Sequence, residues 1–270
     1  MNEHIGCGIG INLRLELIDD ILRERPTLPF FEIIVDNWFS TGPHHKKLEE
    51  IRNNYDISFH SVGMNLGGVD DINYTYLDTI KSLRDIYKPF HISDHLCFQA
   101  HGGNHHHDLL PFPLNSSSLK SVTERVNRIQ DYLGENILIE NLSYYVEFKN
   151  SSMSEIEFLN ELNRQTGCLY LLDLNNIWVN SKNLNHSMDN YLQNLDWKLV
   201  KEVHMAGPDY SGEIYIDTHG SNVNDELLNI VNTHQGHLRN IPIIYERDTN
   251  LLGLSEMINQ VELISESLNG

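Results

Sequence analysis

Histidines and carboxylates recur in this chain at one kind of place, the point where a short apolar run stops. The run at 199–204 ends in His204 and leads through Met205-Ala206-Gly207 to Asp217-Thr218-His219-Gly220. Two imidazoles and a carboxylate within one short connection are metal-type ligands. Phe59-His60, Ser93-Asp94-His95, Ile139-Glu140-Asn141, Leu172-Asp173 and Tyr245-Glu246 end other runs in the same way. Charged residues commonly bound strands, so one such ending means little, but six of them, counting His204, need a common cause.

The elements that would position them alternate along the chain. Strand-like runs lie at 8–13, 30–35, 57–60, 90–95, 137–141, 168–173, 199–204 and 241–246. Helix-period segments lie at 16–24, 48–53, 74–87, 116–133, 154–166, 188–194, 221–233 and 254–268. Ser154-Glu155-Ile156-Glu157 has the form of a capping box. Eight strands alternating with helices predict an α/β fold, a TIM-type (β/α)8 barrel, over an open doubly wound sheet. In such a barrel the C-terminal strand ends open on one face, which is the common cause required. At 270 residues and 40% hydrophobic, with no Pro/Ser-rich linker, residues 1–270 are expected to form a single barrel domain with the metal cluster at its C-terminal face.

Net charge narrows the partners. With 38 acidic against 19 basic residues, a formal charge of −19, the surface repels phosphate backbones and anionic lipid, which argues against nucleic acid and membrane. No apolar run approaches a membrane span. Cys7, Cys97 and Cys168 are an odd number without CxxC spacing or a signal-peptide pattern, which points to a reducing, cytoplasmic setting. Cys7 and Cys168 read as small buried hydrophobes.

Several features have plainer readings. His105-His106-His107 follows Gly102-Gly103 and is expected in a solvated loop, and His44, His45, His186, His234 and His237 on the surface. The Gly8/Gly10 pair lacks the third glycine of a phosphate-binding turn and reads as close packing. Asp36-Asn37-Trp38-Phe39 lies at the expected barrel mouth, as pocket lining or packing lid. Residues 63–70 should form a flexible loop over the site, and the long loop 97–114 a lid or wall.

The strand-end set is therefore His60, His95, Glu140, Asp173, Asn176, His204, Asp217, His219 and Glu246. These are too many ligands for one ion. Nitrogen and oxygen donors without sulfur suit iron, manganese or zinc, and bridging carboxylates suit two or three metals together. Glu140 and Asp173 are the expected bridges. His91 and Asp94, beside His95, are expected to orient a ligand.

In combination these motifs, with His107-Asp108-Leu109-Leu110-Pro111 and Tyr245-Glu246-Arg247-Asp248, resemble the multinuclear nonheme iron-dependent oxidase family, long known only as a domain of unknown function. The resemblance runs from Gly8 to about Leu268. It implies a xylose-isomerase-like barrel holding two or three irons in a mixed ferrous and ferric state. Members such as the methanobactin and thiaglutamate biosynthesis enzymes use dioxygen to oxidise cysteine residues of a ribosomally made precursor peptide, commonly with a small partner protein that recognises the leader. By that resemblance one iron would take His60, His95 and Glu140, a second Glu140, Asp173, His204 and Glu246, and a third Asn176, Asp217 and His219.

Two other readings of the same ligands stay open: a metal-dependent hydrolase or phosphodiesterase of the endonuclease-IV-like barrel type, and a metal-dependent sugar isomerase. The acidic balance counts against a DNA substrate. A purely structural role for metals fits poorly, since a barrel of this length needs no metal staple.

Overall fold

A computed structural model describes residues 8–270; Cys7 lies outside the described residues. Twelve strands occur among them: β1 Ile9–Asn12, β2 Phe30–Ile34, β3 Asp56–His60, β4 Ile92–His95, β5 Phe98–His101, β6 Asn104–Leu110, β7 Leu138–Glu140, β8 Leu169–Asp173, β9 Val200–Met205, β10 Gly207–Tyr210, β11 Tyr215–Ser221 and β12 Ile243–Tyr245. Eight of them close a parallel barrel in the order β1-β2-β3-β4-β7-β8-β9-β12. Parallel neighbours need crossover connections, and helices packed outside supply them, so the strands are buried on both faces. The TIM-type barrel read from the alternation is the observed fold.

The register sets the ligands side by side. His95 pairs with Glu140 across β4 and β7, and Asp173 with His204 across β8 and β9. The outer helices, which begin with α1 Ile18–Glu24, α2 His44–Arg52 and α3 Tyr74–Tyr87, bury one stripe each. In α4, Ser116–Leu133, that stripe is Leu119, Val122, Val126, Ile129 and Leu133, and Asn115 caps its first turn. In α5, Glu155–Thr166, Ser154 and Glu157 form the expected reciprocal capping box.

Four local expectations are corrected. The stretch 97–114 is not an open loop, because β5 and β6 pair as an antiparallel hairpin that carries His105 and His106 on its exposed part. The helix expected at 221–233 begins only at Asp225, because 215–221 pairs with β10 in a second hairpin. The segment after Asp173 is helical, α6 at Leu174–Leu184, with Asp173 as its N-cap. Two asparagines in its first turn are poor helix formers and hid it. His45, His186 and His234 are half-buried, His45 beneath Tyr87 and Trp38, so Trp38 is a packing residue. Cys168 is buried as expected. Among the described residues no helix is long and apolar enough to cross a membrane.

Candidate metal centre

The strand ends bring His60, His95, Glu140, Asp173, His204 and Glu246 together at the C-terminal mouth, none more than 7% exposed. Glu140 is the hub. Its Oε2 lies 3.5 Å from His60 Nε2 and 3.3 Å from His95 Nε2, while Oε1 lies 3.7 Å from His204 Nδ1. Its ligand atom groups with those of His60 and His95, and again with those of Asp173 and His204.

The second hairpin delivers His219. Gly207 opens it at a point where a Cβ would collide with the carbonyls of Ser221 and Asn222, so only glycine lets the two strands close there. His219 itself adopts a left-handed φ of 47°, uncommon for a residue with a Cβ and typical of strain held at a functional site. This bend sets Nδ1 3.1 Å from Glu246 Oε2 and Nε2 3.6 Å from Asp173 Oδ2. Asp217 Oδ1 lies 2.8 Å from the same Nε2, and its carboxylate accepts from Asn175 Nδ2 and Ser143 Oγ. Asn176, in the first turn of α6, donates from its backbone N to Asp173 Oδ1 at 2.7 Å, and its Nδ2 reaches the Asn141 carbonyl. The geometry therefore groups His219 with Asp173 and Glu246, with Asp217 alongside, while Asn176 sits nearer Glu140.

Asp94 stands behind His95, its Oδ1 3.9 Å from His95 Nδ1, whereas His91 turns away from the cluster. Asp94 accepts from Ser61 Oγ, Met64 N and the His95 backbone N, which ties the loop 61–64 to β4. His91 donates to Glu202 Oε2 at 2.8 Å, one layer deeper in the barrel, where Ser58 Oγ donates to the same oxygen.

Sequence reasoning missed Glu32. This fully buried residue of β2 accepts from His204 Nε2 at 3.0 Å. The signal was available: Phe30-Phe31-Glu32-Ile33-Ile34 places one carboxylate inside an otherwise apolar run, and a buried charge needs a partner.

The donor set fits metal ions. Buried without a hydrogen-bond partner are Glu140 Oε2, Asp173 Oδ2, Asn176 Oδ1, His95 Nδ1, His204 Nδ1, both ring nitrogens of His219, and Glu246 Oε2. His204 Nδ1 and Glu246 Oε2 are only 3.0 Å apart, yet neither is aligned to bond the other. Orphaned polar atoms in a native interior are rare, and so many together point their lone pairs at something else. The electrostatics agree. Burial pushes Asp173 well above the usual carboxylate range, and the surrounding carboxylates hold His204 and His219 well above the usual imidazole range against the opposing effect of burial. Burial also raises Glu140, but the imidazoles of His95, His204 and His60 outweigh it and bring it down to about 2. The centre as a whole draws in positive charge, which bound cations supply.

Beside the centre opens a cavity of about 840 Å³. Leu96, next to His95, and Leu142, two residues beyond Glu140, belong to its wall, with Phe112, Tyr144 and Tyr191.

The fold is shared with a D-tagatose 3-epimerase-like protein, at TM-score 0.63 and 15% identity over 97% of each chain. A xylose isomerase domain containing protein from Salmonella typhimurium matches at TM-score 0.59 and 13% identity over 99% of this chain and 98% of that one. At such identity they show the xylose-isomerase-like barrel alone. Sequence relatives are closer: a UPF0276 protein of Acaryochloris marina is 36% identical over 90% of this chain and 88% of its own length. Another, from Vibrio parahaemolyticus, is 39% identical over 81% of this chain and 78% of its own. Residues 8–269, carrying every residue of the centre just described, match the RiPP precursor modification enzymes MbnB/TglH/ChrH, and the chain belongs to that family.

Proposed function

We propose that this protein is a multinuclear iron-dependent oxidase that uses dioxygen to modify cysteine residues of a ribosomally synthesised precursor peptide. The observation that carries the reading is the cluster of orphaned imidazole and carboxylate atoms around Glu140, without a thiolate among them, beside a cavity large enough for a peptide segment. Family membership supports a peptide substrate.

His60, His95 and Glu140 would hold one iron; Glu140, Asp173, His204 and Glu246 a second; His219, with Asp217, Asp173 and Glu246, a third, while Asn176 stands nearer Glu140. When bound, the ions supply a Lewis-acidic thiolate site and a redox partner for dioxygen. The chain's own residues do the rest. Glu140 ties the two histidine groups into one unit, so a cysteine held there meets both. Ser93 and Glu32 fix the His60 and His204 rings through their outward nitrogens, His60 Nδ1 donating to Ser93 Oγ at 2.8 Å, and Asn141 fixes Asp173 through its backbone N–H and carbonyl. Leu96, Leu142 and Phe112 keep the approach apolar, which limits water beside the reacting sulfur. A small leader-recognising partner protein is part of this proposal, as is a cytoplasmic setting.

The test is metal identity and stoichiometry on anaerobically purified protein, read by elemental analysis and Mössbauer spectroscopy, followed by dioxygen uptake with a cysteine-containing precursor peptide. Two or three irons per chain in mixed valence, with uptake that depends on the peptide cysteine, is the expected result. Tightly held zinc with no dioxygen uptake would overturn the proposal and favour the hydrolase reading.

A further inference from the structure

The ligands named so far lie at the C-terminal mouth, on strand ends, on the second hairpin or in the first turn of α6, but Glu32 enters the barrel from beneath them. The register of β2 and β3 pairs Glu32 with Ser58 and Ile34 with His60, which puts Glu32 one layer below the His60 level. A carboxylate there is out of place by composition, since its neighbours Phe31 and Ile33 are apolar and it is fully buried. Charge in such a place is kept only where it is paired. Its Oε2 accepts from His204 Nε2 at 3.0 Å, while its Oε1 has no partner.

We propose that Glu32 is a positioning residue for the metal centre: it holds the His204 ring in the Nε2–H tautomer, so that Nδ1 is the atom presented to the metals. This rests on the reading of the cluster as a metal centre. An imidazole has two ring nitrogens, and the bond made by one decides what the other offers. His204 Nδ1 carries no hydrogen bond and faces Glu246 Oε2 at 3.0 Å and Glu140 Oε1 at 3.7 Å. With Nε2 tied down, the ring cannot turn to present it instead. Among the described residues no other side chain bonds His204 Nε2. Glu202, the second carboxylate in the deeper layer, is occupied on Oε2 by Ser58 and His91.

A competing role has Glu32 as a ligand itself, because its oxygen also lies within 4.8 Å of ligand atoms on His204 and Glu246. The two roles separate on substitution. In Glu32→Gln the side-chain amide oxygen still accepts the Nε2–H bond, whereas the anionic ligand is gone. In Glu32→Ala both are gone.

The experiment loads wild type, Glu32→Gln, Glu32→Ala and His204→Ala anaerobically with ferrous iron, and separately with zinc as a diamagnetic probe. Ions per chain are counted, affinity is measured by chelator competition, and 15N-histidine NMR of the zinc form reports which nitrogen of His204 carries the metal. No peptide is used, so the outcome is independent of whether the substrate reading holds. For a positioning role, Glu32→Gln keeps the wild-type ion count, and Glu32→Ala loses about 10–100-fold in affinity for one ion, with altered Mössbauer parameters. In the zinc form of wild type, His204 is expected bound through Nδ1 with a proton on Nε2. Metal on Nε2, wild-type affinity and spectra in Glu32→Ala, or loss of an ion in Glu32→Gln as complete as in His204→Ala would each overturn it. Should Glu32→Ala fail to fold, the Gln variant and the wild-type NMR decide alone. A wild-type chain that takes up no metal sinks the metal reading, and this role with it.

Discussion

Asn141 and Asp173 clasp one another at the ends of two adjacent strands: Asn141 Oδ1 accepts from the Asp173 backbone N at 2.8 Å, and Asn141 Nδ2 donates to the Asp173 carbonyl at 2.9 Å. The residue next to Glu140 thereby locks the residue next to His204 in the register. Both partners are buried, so the two bonds are not replaced by water when one side is removed. Replacing Asn141 with Leu, similar in size, leaves the Asp173 N–H and carbonyl unpaired. Loss of about 2–4 kcal/mol in denaturant unfolding is expected from two orphaned groups, together with weakened metal binding. A variant with unchanged midpoint and full metal content would show that the clasp is not what holds Asp173.

Glu140 touches two of the ligand groups, whereas Asp217 lies beside only His219 among the cluster's histidines. Glu140→Gln should therefore lose more metal than Asp217→Asn. The count to make is ions per chain after anaerobic reconstitution: a deficit of more than one for the first, and of at most one for the second. Equal deficits would remove Glu140 from its place as the bridge.

Asp173 has two separable duties, since Oδ1 caps α6 through Asn176 N while Oδ2 is unpaired and faces the centre. Asparagine can cap as well as aspartate, but alanine cannot. Asp173→Asn and Asp173→Ala should both lose metal, and the alanine variant should be less stable than the asparagine variant by about 1 kcal/mol in the metal-free state. Thermal or urea melts of the two stripped variants give the comparison.

Glu155 is buried in the wall of the large cavity, and burial pushes its carboxyl up to about 7 against the bond from the Leu142 backbone N. An acid whose folded pKa is raised holds its proton longer in the folded state than in the unfolded one. Its contribution to stability is then lost as pH rises from about 4.5 to about 7. Gln in its place keeps the acceptor for Leu142 without the charge. Relative to wild type, Glu155→Gln should gain on the order of 3 kcal/mol between pH 4.5 and pH 8, with the metal contribution cancelling in the difference. A difference between the two proteins that does not vary with pH would contradict the raised pKa.

Val146 is exposed at the rim of the same cavity and bears no ligand. Val146→Trp should narrow the entrance without touching the core. A rise in KM for a precursor peptide of about tenfold, corresponding to about 1.4 kcal/mol, is expected with the iron content unchanged. Unaltered kinetics would place the peptide elsewhere on the mouth.

Periodicity and strand-end chemistry carried most of the fold and most of the ligands in the sequence itself. Apolar runs of β-type length alternating with amphipathic helices admit few architectures, and a parallel barrel forces every run's last residue onto one face. That is why His60, His95, Glu140, Asp173, His204 and Glu246 could be named together and are found together. What the tertiary structure alone decided lies off that pattern. Asp217 and His219 ride on a hairpin whose pairing depends on a close approach at Gly207 and a left-handed His219, neither of which has a periodic signature. Glu32 sits mid-strand, and only the register shows that it lies one layer under the centre with its carboxylate on His204. His91 immediately precedes the strand that His95 ends, yet its side chain serves Glu202, because four residues of extended chain are a full layer and more of barrel depth. Linear spacing says which face of a strand a residue joins; which side chain it meets across the barrel depends on closure and register, and those exist only once all eight strands are in place.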